Sequence, residues 1–260
     1  MSKPSIILVP GSFSFPELYD TVVNPIKGKG YEIKALHYPS VGLKTGPREG
    51  TPPTMYDDAA FIAKETEKLA DEGKDVVIVA HSYGGVPTTE STKGLSKGER
   101  EKAGKKGGIV KLAYLTCLVP PVGTAAASML ADVPAENKIN LKVGEDGWMR
   151  HEDIAPTAAI VFSDLPPEEG QAWIRSFSAH SAASFGSELT HPGYKDIPAA
   201  WLLCEKDLCI PAKTQREAIA MIEKISGTKV DVTSVQKDHV PHATEPELVV
   251  DWILKVVESV

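Results

Sequence analysis

Short apolar runs alternate with segments of helical length along most of the chain, and this alternation limits the folds that the sequence can adopt. The runs cover residues 5–9, 31–36, 75–80, 109–116, 199–204 and 229–235. Most of them are uninterrupted and rich in Val, Ile and Leu, which is typical of parallel strands buried on both faces of a sheet. The intervening segments are long enough for the crossover helices that parallel strands require. The pattern predicts an α/β fold with a mostly parallel sheet of about six strands flanked by helices.

One long segment, residues 118–197, interrupts the alternation and contains no clear parallel strand. Helical patterns occur within it, such as residues 167–174, which open on a proline followed by two acidic residues. We therefore interpret residues 118–197 as a helical cap inserted between two strands. Residues 1–117 and 198–260 then form the core, and the 260 residues make a single domain overall.

Charge and cysteine content restrict the partners and the location. The chain has 28 basic and 35 acidic residues, and a net negative charge repels phosphate backbones, so we expect no nucleic-acid partner. No stretch approaches the roughly 18 apolar residues that a membrane span needs, and the apolar run at residues 6–9 is too short for a signal peptide. Three cysteines, Cys117, Cys204 and Cys209, are too few for a disulfide framework and are expected to be buried thiols. These features favour a cytoplasmic protein without a membrane partner.

The sequence also lacks the common signatures of cofactor and metal sites. Its histidines and cysteines do not show zinc-ligand spacing. Gly28-x-Gly30 has no third glycine, and no phosphate-loop motif is present. We expect no cofactor and no bound metal.

The strongest chemical signal directly follows the run at residues 75–80. Ala80-His81-Ser82-Tyr83-Gly84 matches the nucleophile-elbow pattern G-x-S-x-G, with Ala80 in the position of the first glycine. The spacing has a physical reason, because the serine occupies a strained strand-to-helix turn where only small neighbours fit. The serine hydroxyl is then exposed at the carboxyl edge of the sheet. The pattern predicts Ser82 as a nucleophile; the alternative is an ordinary strand–turn–helix with an incidental serine.

A serine hydroxyl needs a base, and the base needs a carboxylate that orients it. In this pattern the chain order is serine, acid, histidine. Asp207 follows the run at 199–204, and His239 follows the last run, so both satisfy order and location. Glu205 is the alternative acid, and His242, three residues after His239, is the alternative base.

The turn after the first strand is the expected source of a second oxyanion donor. Gly11 in this turn permits a close approach of the backbone. We therefore assign the oxyanion hole to the backbone N–H groups of Ser12 and Tyr83. A plain turn glycine is the alternative interpretation of Gly11.

These residues together resemble the α/β-hydrolase superfamily over nearly the full length of the chain. The chain is most similar to the branch that contains plant-type methylesterases, hydroxynitrile lyases and pyrethroid-hydrolase-like carboxylesterases. The matching pieces are Pro10-Gly11-Ser12, His81-Ser82-Tyr83-Gly84-Gly85, Phe162-Ser163-Asp164-Leu165-Pro166-Pro167-Glu168-Glu169, Leu203-Cys204-Glu205-Lys206-Asp207 and Asp238-His239-Val240-Pro241. The resemblance implies the α/β-hydrolase fold without the superfamily's first two strands, and a triad of Ser82, Asp207 and His239.

Two positions depart from the family pattern. Pro10-Gly11 replaces the usual His-Gly of the first turn, which changes a neighbour of the oxyanion loop and keeps its backbone donor. The hydroxynitrile lyases have a lysine directly after the catalytic histidine and a threonine at the first-turn glycine. Here these positions are Val240 and Gly11, which weakens the cyanohydrin-cleaving interpretation.

The resulting hypothesis is a serine hydrolase that cleaves a small to medium apolar carboxylic ester or lactone through an acyl-enzyme. A lyase or other non-hydrolytic reaction with the same triad, and a ligand-binding protein with a vestigial site, are the alternatives. The small-molecule substrate is the expected partner, and the sequence is compatible with a homodimer. For His180 there are two interpretations, contact with the substrate or a surface position, and we favour the surface position. Candidate pocket residues are apolar: Phe13, Met129, Trp148, Phe162, Trp173 and Phe177.

Overall fold

Parallel strands form the centre of the molecule, which a computed structural model describes for residues 3–260. The strands are β1 (Ser5–Val9), β2 (Ile33–Ala35), β3 (Asp75–His81), β4 (Gly108–Leu115), β5 (Leu141–Val143), β6 (Trp148–His151), β7 (His180–Ser181), β8 (Ala199–Cys204) and β9 (Asp231–Val235). In the described chain the main sheet has the strand order β2-β1-β3-β4-β8-β9, and every neighbouring pair is parallel. Each predicted run overlaps one strand of this sheet, and the ends agree to within a few residues, which confirms the predicted parallel sheet.

Helices connect these strands and cover both faces of the sheet. They are α1 (Asp20–Gly28), α2 (Met55–Asp71), α3 (Gly85–Glu90), α4 (Lys97–Lys102), α5 (Ala126–Met129), α6 (Ile154–Val161), α7 (Pro167–Arg175), α8 (Ala182–Gly186), α9 (Ala212–Ser226), α10 (Pro241–Thr244) and α11 (Pro246–Glu258). None of the helices within residues 3–260 is both long and apolar enough to cross a membrane.

The two faces of the sheet belong to two separate hydrophobic clusters. Along β1, Ile7 and Val9 pack in the cluster that contains apolar residues of α2 and α9. Ile6 and Leu8 alternate with them and pack in the cluster formed with α1 and α11. Because side chains of a strand alternate between faces, burial on both faces explains the uninterrupted apolar run.

The segment of residues 118–197 lies in the chain between β4 and β8. It contains helices α5 to α8, as the sequence predicts, and also the strands β5, β6 and β7, which pair antiparallel in a second sheet. These strands have two to four residues each, too few for a period-two pattern to appear in the sequence. That the segment forms a cap separate from the core stays a prediction.

Tight packing at the start of α3 leads to a test of stability. A Cβ atom added at Gly85 would lie 2.5 Å from the carbonyl oxygen of Leu118 and 2.7 Å from Cβ of Cys117, so the backbone would have to move. We expect Gly85→Ala to reduce the free energy of unfolding by about 1–3 kcal/mol or more. Gly98, also helical, has no described atom within 4 Å of such a Cβ. The control Gly98→Ala should therefore be neutral or stabilising by up to about 1 kcal/mol. Urea denaturation of both variants measures the difference, and equal effects would contradict the prediction.

Candidate active site

Ser82 lies on a strained turn at the carboxyl end of β3. Its φ of 54° is in the left-handed region, which non-glycine residues rarely adopt. The turn continues directly into α3, and a Cβ atom at Gly84 would lie 2.6 Å from the carbonyl oxygen of Pro10. Backbone from the neighbouring strand therefore crowds the turn, which explains why small residues flank the serine.

Ser82, His239 and Asp207 form one continuous chain of hydrogen bonds. The Ser82 hydroxyl lies 2.9 Å from Nε2 of His239, and Nδ1 of His239 lies 2.7 Å from Oδ2 of Asp207. The three side chains come from loops after β3, β8 and β9, and all are buried. With Nδ1–H donated to the carboxylate, Nε2 is free to accept the serine proton. The structure thus brings together the three residues that the sequence selected.

The two alternative residues have other contacts. Glu205 accepts hydrogen bonds from Arg216 and Ser234 at 2.5 Å each, at the protein surface. His242 is buried, and its ring stacks on the Tyr19 ring with the centroids 4.1 Å apart. Among the hydrogen bonds of the described residues, neither side chain is joined to Ser82 or His239.

Asp207 is held in place from several directions. Its Oδ1 accepts the backbone N–H groups of Cys209 and Ile210, both at 2.8 Å. Its Oδ2, which faces His239, also accepts the hydroxyl of Thr116. Thr116 has a φ of 39°, an outlier for a β-branched residue, at the end of β4. Sequence reasoning missed Thr116, because a threonine at the end of a buried strand ordinarily has a packing role.

The neighbouring carboxylate changes the proton affinity of His239. Burial is the largest single effect and lowers the pKa of His239, but the charge of Asp207, its hydrogen bond to the ring and the neighbouring Cys209 together raise it by more. The resulting pKa lies well above the usual value. An imidazole with a raised pKa is a stronger base. His239 is therefore suited to accept the proton of Ser82.

Two backbone donors line the cavity beside Ser82. Neither the N–H of Ser12 nor that of Tyr83 has a hydrogen-bond acceptor within residues 3–260, and both residues line the cavity. A Cβ atom at Gly11 would lie 2.9 Å from Nδ1 of His81 and 3.2 Å from Cβ of Ser82. Glycine is therefore needed here for close approach. The geometry allows these two N–H groups to stabilise negative charge on an oxygen near Ser82.

A buried histidine fixes the loop that carries Ser12. Phe13 adopts a φ of 64°, and its backbone N–H donates to Nδ1 of His180 at 3.2 Å. On its other side, Nε2 of His180 lies 3.0 Å from the hydroxyl of Ser184 and 3.1 Å from that of Ser40. His180 is fully buried, so the interpretation of His180 as a surface residue is wrong. In the sequence, His180 is a single histidine among serines and alanines, and its contact to Phe13 spans 167 residues.

The same network reaches Tyr83 through a buried carboxylate. Asp58 accepts the backbone N–H of Ser40 at 2.8 Å, its hydroxyl at 2.6 Å, and the hydroxyl of Tyr83 at 2.8 Å. Burial raises the pKa of Asp58 to about 7. Asp58 lies on the buried side of α2 with Met55 and Ile62. A charged residue on an otherwise apolar helical face is the pattern by which the sequence could have identified Asp58 as a functional candidate.

A second chain of hydrogen bonds joins the first turn to the loop of His239. The backbone N–H of Gly11 donates to the Tyr19 hydroxyl at 2.8 Å, and this hydroxyl lies 2.7 Å from Nδ1 of His81. Nε2 of His81 lies 2.8 Å from the carbonyl oxygen of His239. The carbonyl oxygen requires the proton on Nε2, and burial lowers the pKa of His81 well below its usual value. Nδ1 of the neutral ring therefore accepts from the Tyr19 hydroxyl. His81 therefore connects two loops of the site and does not compete as a base.

A cavity of about 260 Å³ opens on Ser82 and His239, and its walls are predominantly apolar. Four of the six candidate pocket residues line it: Phe13, Phe162, Trp173 and Phe177. Met129 and Trp148 do not line it; Trp148 is buried in β6.

Cys209, expected to be buried, is partly exposed and lines the cavity, whereas Cys117 and Cys204 are buried. Residues 3–260 contain no cluster of three or more His, Cys, Asp or Glu side chains that could hold a metal ion.

Comparison with known proteins gives consistent relatives over nearly the whole chain. The model of the "Alpha/beta hydrolase family" matches residues 6–252. "Probable hydrolase R7" of Phoma sp. (strain ATCC 20986 / MF5453) is 31% identical over 256 residues, which cover 98% of this chain and 99% of that protein. "Methylesterase 1" of Arabidopsis thaliana is 21% identical over 282 residues, and the match covers 99% of this chain and 97% of that protein.

Solved structures show the same fold. A pyrethroid hydrolase from Sphingobium faniae JZ-2 has a TM-score of 0.73 at 18% sequence identity, over 99% of this chain and 98% of that chain. The resemblance to the branch with methylesterases and pyrethroid hydrolases, predicted from the sequence, is confirmed.

The buried carboxyl of Asp58 leads to a prediction on stability. Its pKa is about 7 in the folded protein against 3.8 for an ordinary aspartate. A raised carboxyl pKa means that the folded state holds the proton more tightly, so its contribution to stability is full below about pH 4 and is lost as pH rises to about 7. Relative to Asp58→Asn, the wild type should lose on the order of 1 kcal/mol of unfolding free energy per pH unit in this window.

The control for this measurement is Asp57→Asn on the same helix. The backbone N–H of Thr54 is the first cause that lowers the pKa of Asp57, so its carboxyl is already ionised across the window. Urea denaturation at a series of pH values should show a constant offset for Asp57→Asn and a changing one for Asp58→Asn. Parallel curves for both variants would contradict the assignment.

Proposed function

The chain belongs to the α/β hydrolase family, and we propose that it is a serine hydrolase that cleaves a small to medium apolar carboxylic ester or lactone through an acyl-enzyme. The observation that carries the proposal is the hydrogen-bonded chain from the Ser82 hydroxyl through His239 to Asp207, at 2.9 and 2.7 Å. A nucleophile, a base and an orienting carboxylate in this order are the groups that acyl transfer requires.

In the first half of the reaction, Oγ of Ser82 attacks the carbonyl carbon of the ester. Nε2 of His239 takes the serine proton, and Asp207 stabilises the imidazolium that forms. The carbonyl oxygen becomes an oxyanion, which accepts hydrogen bonds from the backbone N–H groups of Ser12 and Tyr83. His239 then protonates the leaving alcohol, and the acyl group stays on Ser82.

In the second half, water attacks the acyl-enzyme from the position that the alcohol leaves. His239 takes a proton from this water, and the same two N–H groups bind the second oxyanion. Collapse of the intermediate releases the acid and returns the proton to Ser82. For a lactone, the alcohol and the acid leave as one hydroxy acid.

The walls of the cavity support an apolar substrate. Phe162, Trp173 and Phe177 from the 118–197 segment face a cavity of about 260 Å³, a volume that limits the size of the bound group. These side chains favour apolar acyl or alcohol groups, because burying apolar surface supplies most of the binding energy in such a site.

Loss of the nucleophile provides the test. Ser82→Ala should reduce kcat for aryl, alkyl, methyl-ester and lactone substrates by about 10⁶-fold, the order of loss known for removal of a catalytic serine. A fluorophosphonate should label the wild type once per chain at Ser82, as peptide mass spectrometry can show. Ser259→Ala, a change near the end of the chain, is the control and should keep both labelling and turnover.

Other outcomes identify the alternatives. Turnover that survives in Ser82→Ala and is lost in His239→Ala would indicate a base-catalysed lyase reaction. Less than one turnover per chain across the panel, with tight ligand binding, would indicate a binding protein. An unlabelled Ser82, under conditions that inactivate a control esterase, would overturn the proposal.

A further inference from the structure

His151 stands out among the residues that line the cavity of Ser82. It is the last residue of β6, and its ring centroid lies 4.4 Å from that of Phe13 and 5.7 Å from that of Phe177. It also lines an adjoining surface groove of about 590 Å³, so it stands between the inner cavity and the outside. The chemistry proposed above gives this side chain no role.

Both ring nitrogens of His151 are buried, and neither has a hydrogen-bond partner among residues 3–260. In His180 and His81, by contrast, both ring nitrogens have partners. A buried polar group without a partner is unfavourable, and such groups are rare in folded proteins. Packing against two phenyl rings does not compensate, because an apolar side chain would fill the same space without this cost. The unmet hydrogen bonds point to a ligand that supplies the partners.

The protonation state of the ring limits what this ligand group can be. Burial lowers the pKa of His151 to about 4, so the ring is neutral at neutral pH. A neutral imidazole offers one N–H donor and one nitrogen acceptor. A carboxylate or phosphate can use the donor alone, and an ammonium group the acceptor alone. A hydroxyl group can pair with either nitrogen, because it accepts from the N–H and donates to the bare nitrogen, and it carries no charge into an apolar cavity. One hydroxyl pairs with one ring nitrogen, and a second hydroxyl or a water molecule pairs with the other.

We propose that His151 recognises a hydroxyl group on the substrate, so that hydroxylated esters are the preferred class within the apolar substrates of this site. This inference rests on the proposed function. The hydroxyl would lie on the part of the substrate that contacts Phe13 and Phe177, away from the ester bond. His151 is then a specificity residue and takes no part in proton transfer at Ser82.

Matched pairs of esters test the proposal. The panel contains methyl phenylacetate and benzyl acetate, each with its 2-, 3- and 4-hydroxy derivatives, so that the hydroxyl is sampled on both sides of the ester. In the wild type at least one hydroxylated member should exceed its parent in kcat/KM by about tenfold or more, because a site built for a hydroxyl rejects the analogue without it.

Two variants separate recognition from packing. His151→Phe keeps a ring against Phe13 and Phe177 and removes both polar atoms, so it should abolish the preference while the parent esters are hydrolysed at the wild-type rate or faster. His151→Asn keeps a donor and an acceptor and should retain part of the preference. A wild type without preference for any hydroxylated ester, or a preference unchanged in His151→Phe, would overturn the proposal.

Binding to Ser82→Ala distinguishes failure of this inference from failure of the proposed function. Calorimetry of the same ester pairs with this variant requires no turnover. Tighter binding of a hydroxylated ester, lost when His151→Phe is added, supports recognition even if the wild type hydrolyses no ester. Equal binding of each pair, with normal hydrolysis by the wild type, overturns the recognition by His151 and leaves the serine hydrolase intact.

Discussion

The site depends on three residues with left-handed backbone conformation, one after each of three adjacent strands at the carboxyl edge of the sheet. Phe13, Ser82 and Thr116 follow β1, β3 and β4, which are neighbours in the sheet, and all three have positive φ. A non-glycine residue in this conformation raises the free energy of the folded state by roughly 1–3 kcal/mol, so contacts in the surrounding structure must hold it in place. His180 holds Phe13 through its backbone N–H, and Asp207 accepts the hydroxyl of Thr116. The strain therefore lies where the reacting groups converge, and buried hydrogen bonds maintain it.

Burial and one carboxylate decide which histidine acts as the base. His81, His180 and His242 are buried near the site, and burial lowers the pKa of each, so all three remain neutral. His239 is equally buried, but the charge and hydrogen bond of Asp207, together with the neighbouring Cys209, outweigh the effect of burial and raise its pKa. The neutral rings serve as fixed hydrogen-bond partners or packing surfaces. A protonated ring among them would also repel the imidazolium of His239, so their neutrality favours proton transfer from Ser82.

The parts of the site that local sequence encodes were predictable, and the parts that depend on distant contacts were not. Ser82 carries a motif set by the crowding of its own turn, and the order of Asp207 and His239 follows from the order of the strands. His180 accepts a hydrogen bond from Phe13, 167 residues away in the chain, and no periodic pattern in the sequence indicates such a contact. Asp58 was accessible in principle, because its helical spacing places it on the buried face of α2.

Selection of the substrate and stabilisation of the oxyanion are coupled through Phe13. Its backbone N–H is bonded to His180 and sets the turn that presents Ser12, while its ring packs against His151 in the wall of the cavity. A substitution in this wall that moves the ring also moves the strained turn. Changes at His151 that preserve an aromatic ring should therefore alter the choice of substrate alone. Smaller side chains would lower the rate for every substrate, because the donor of Ser12 would lose its position.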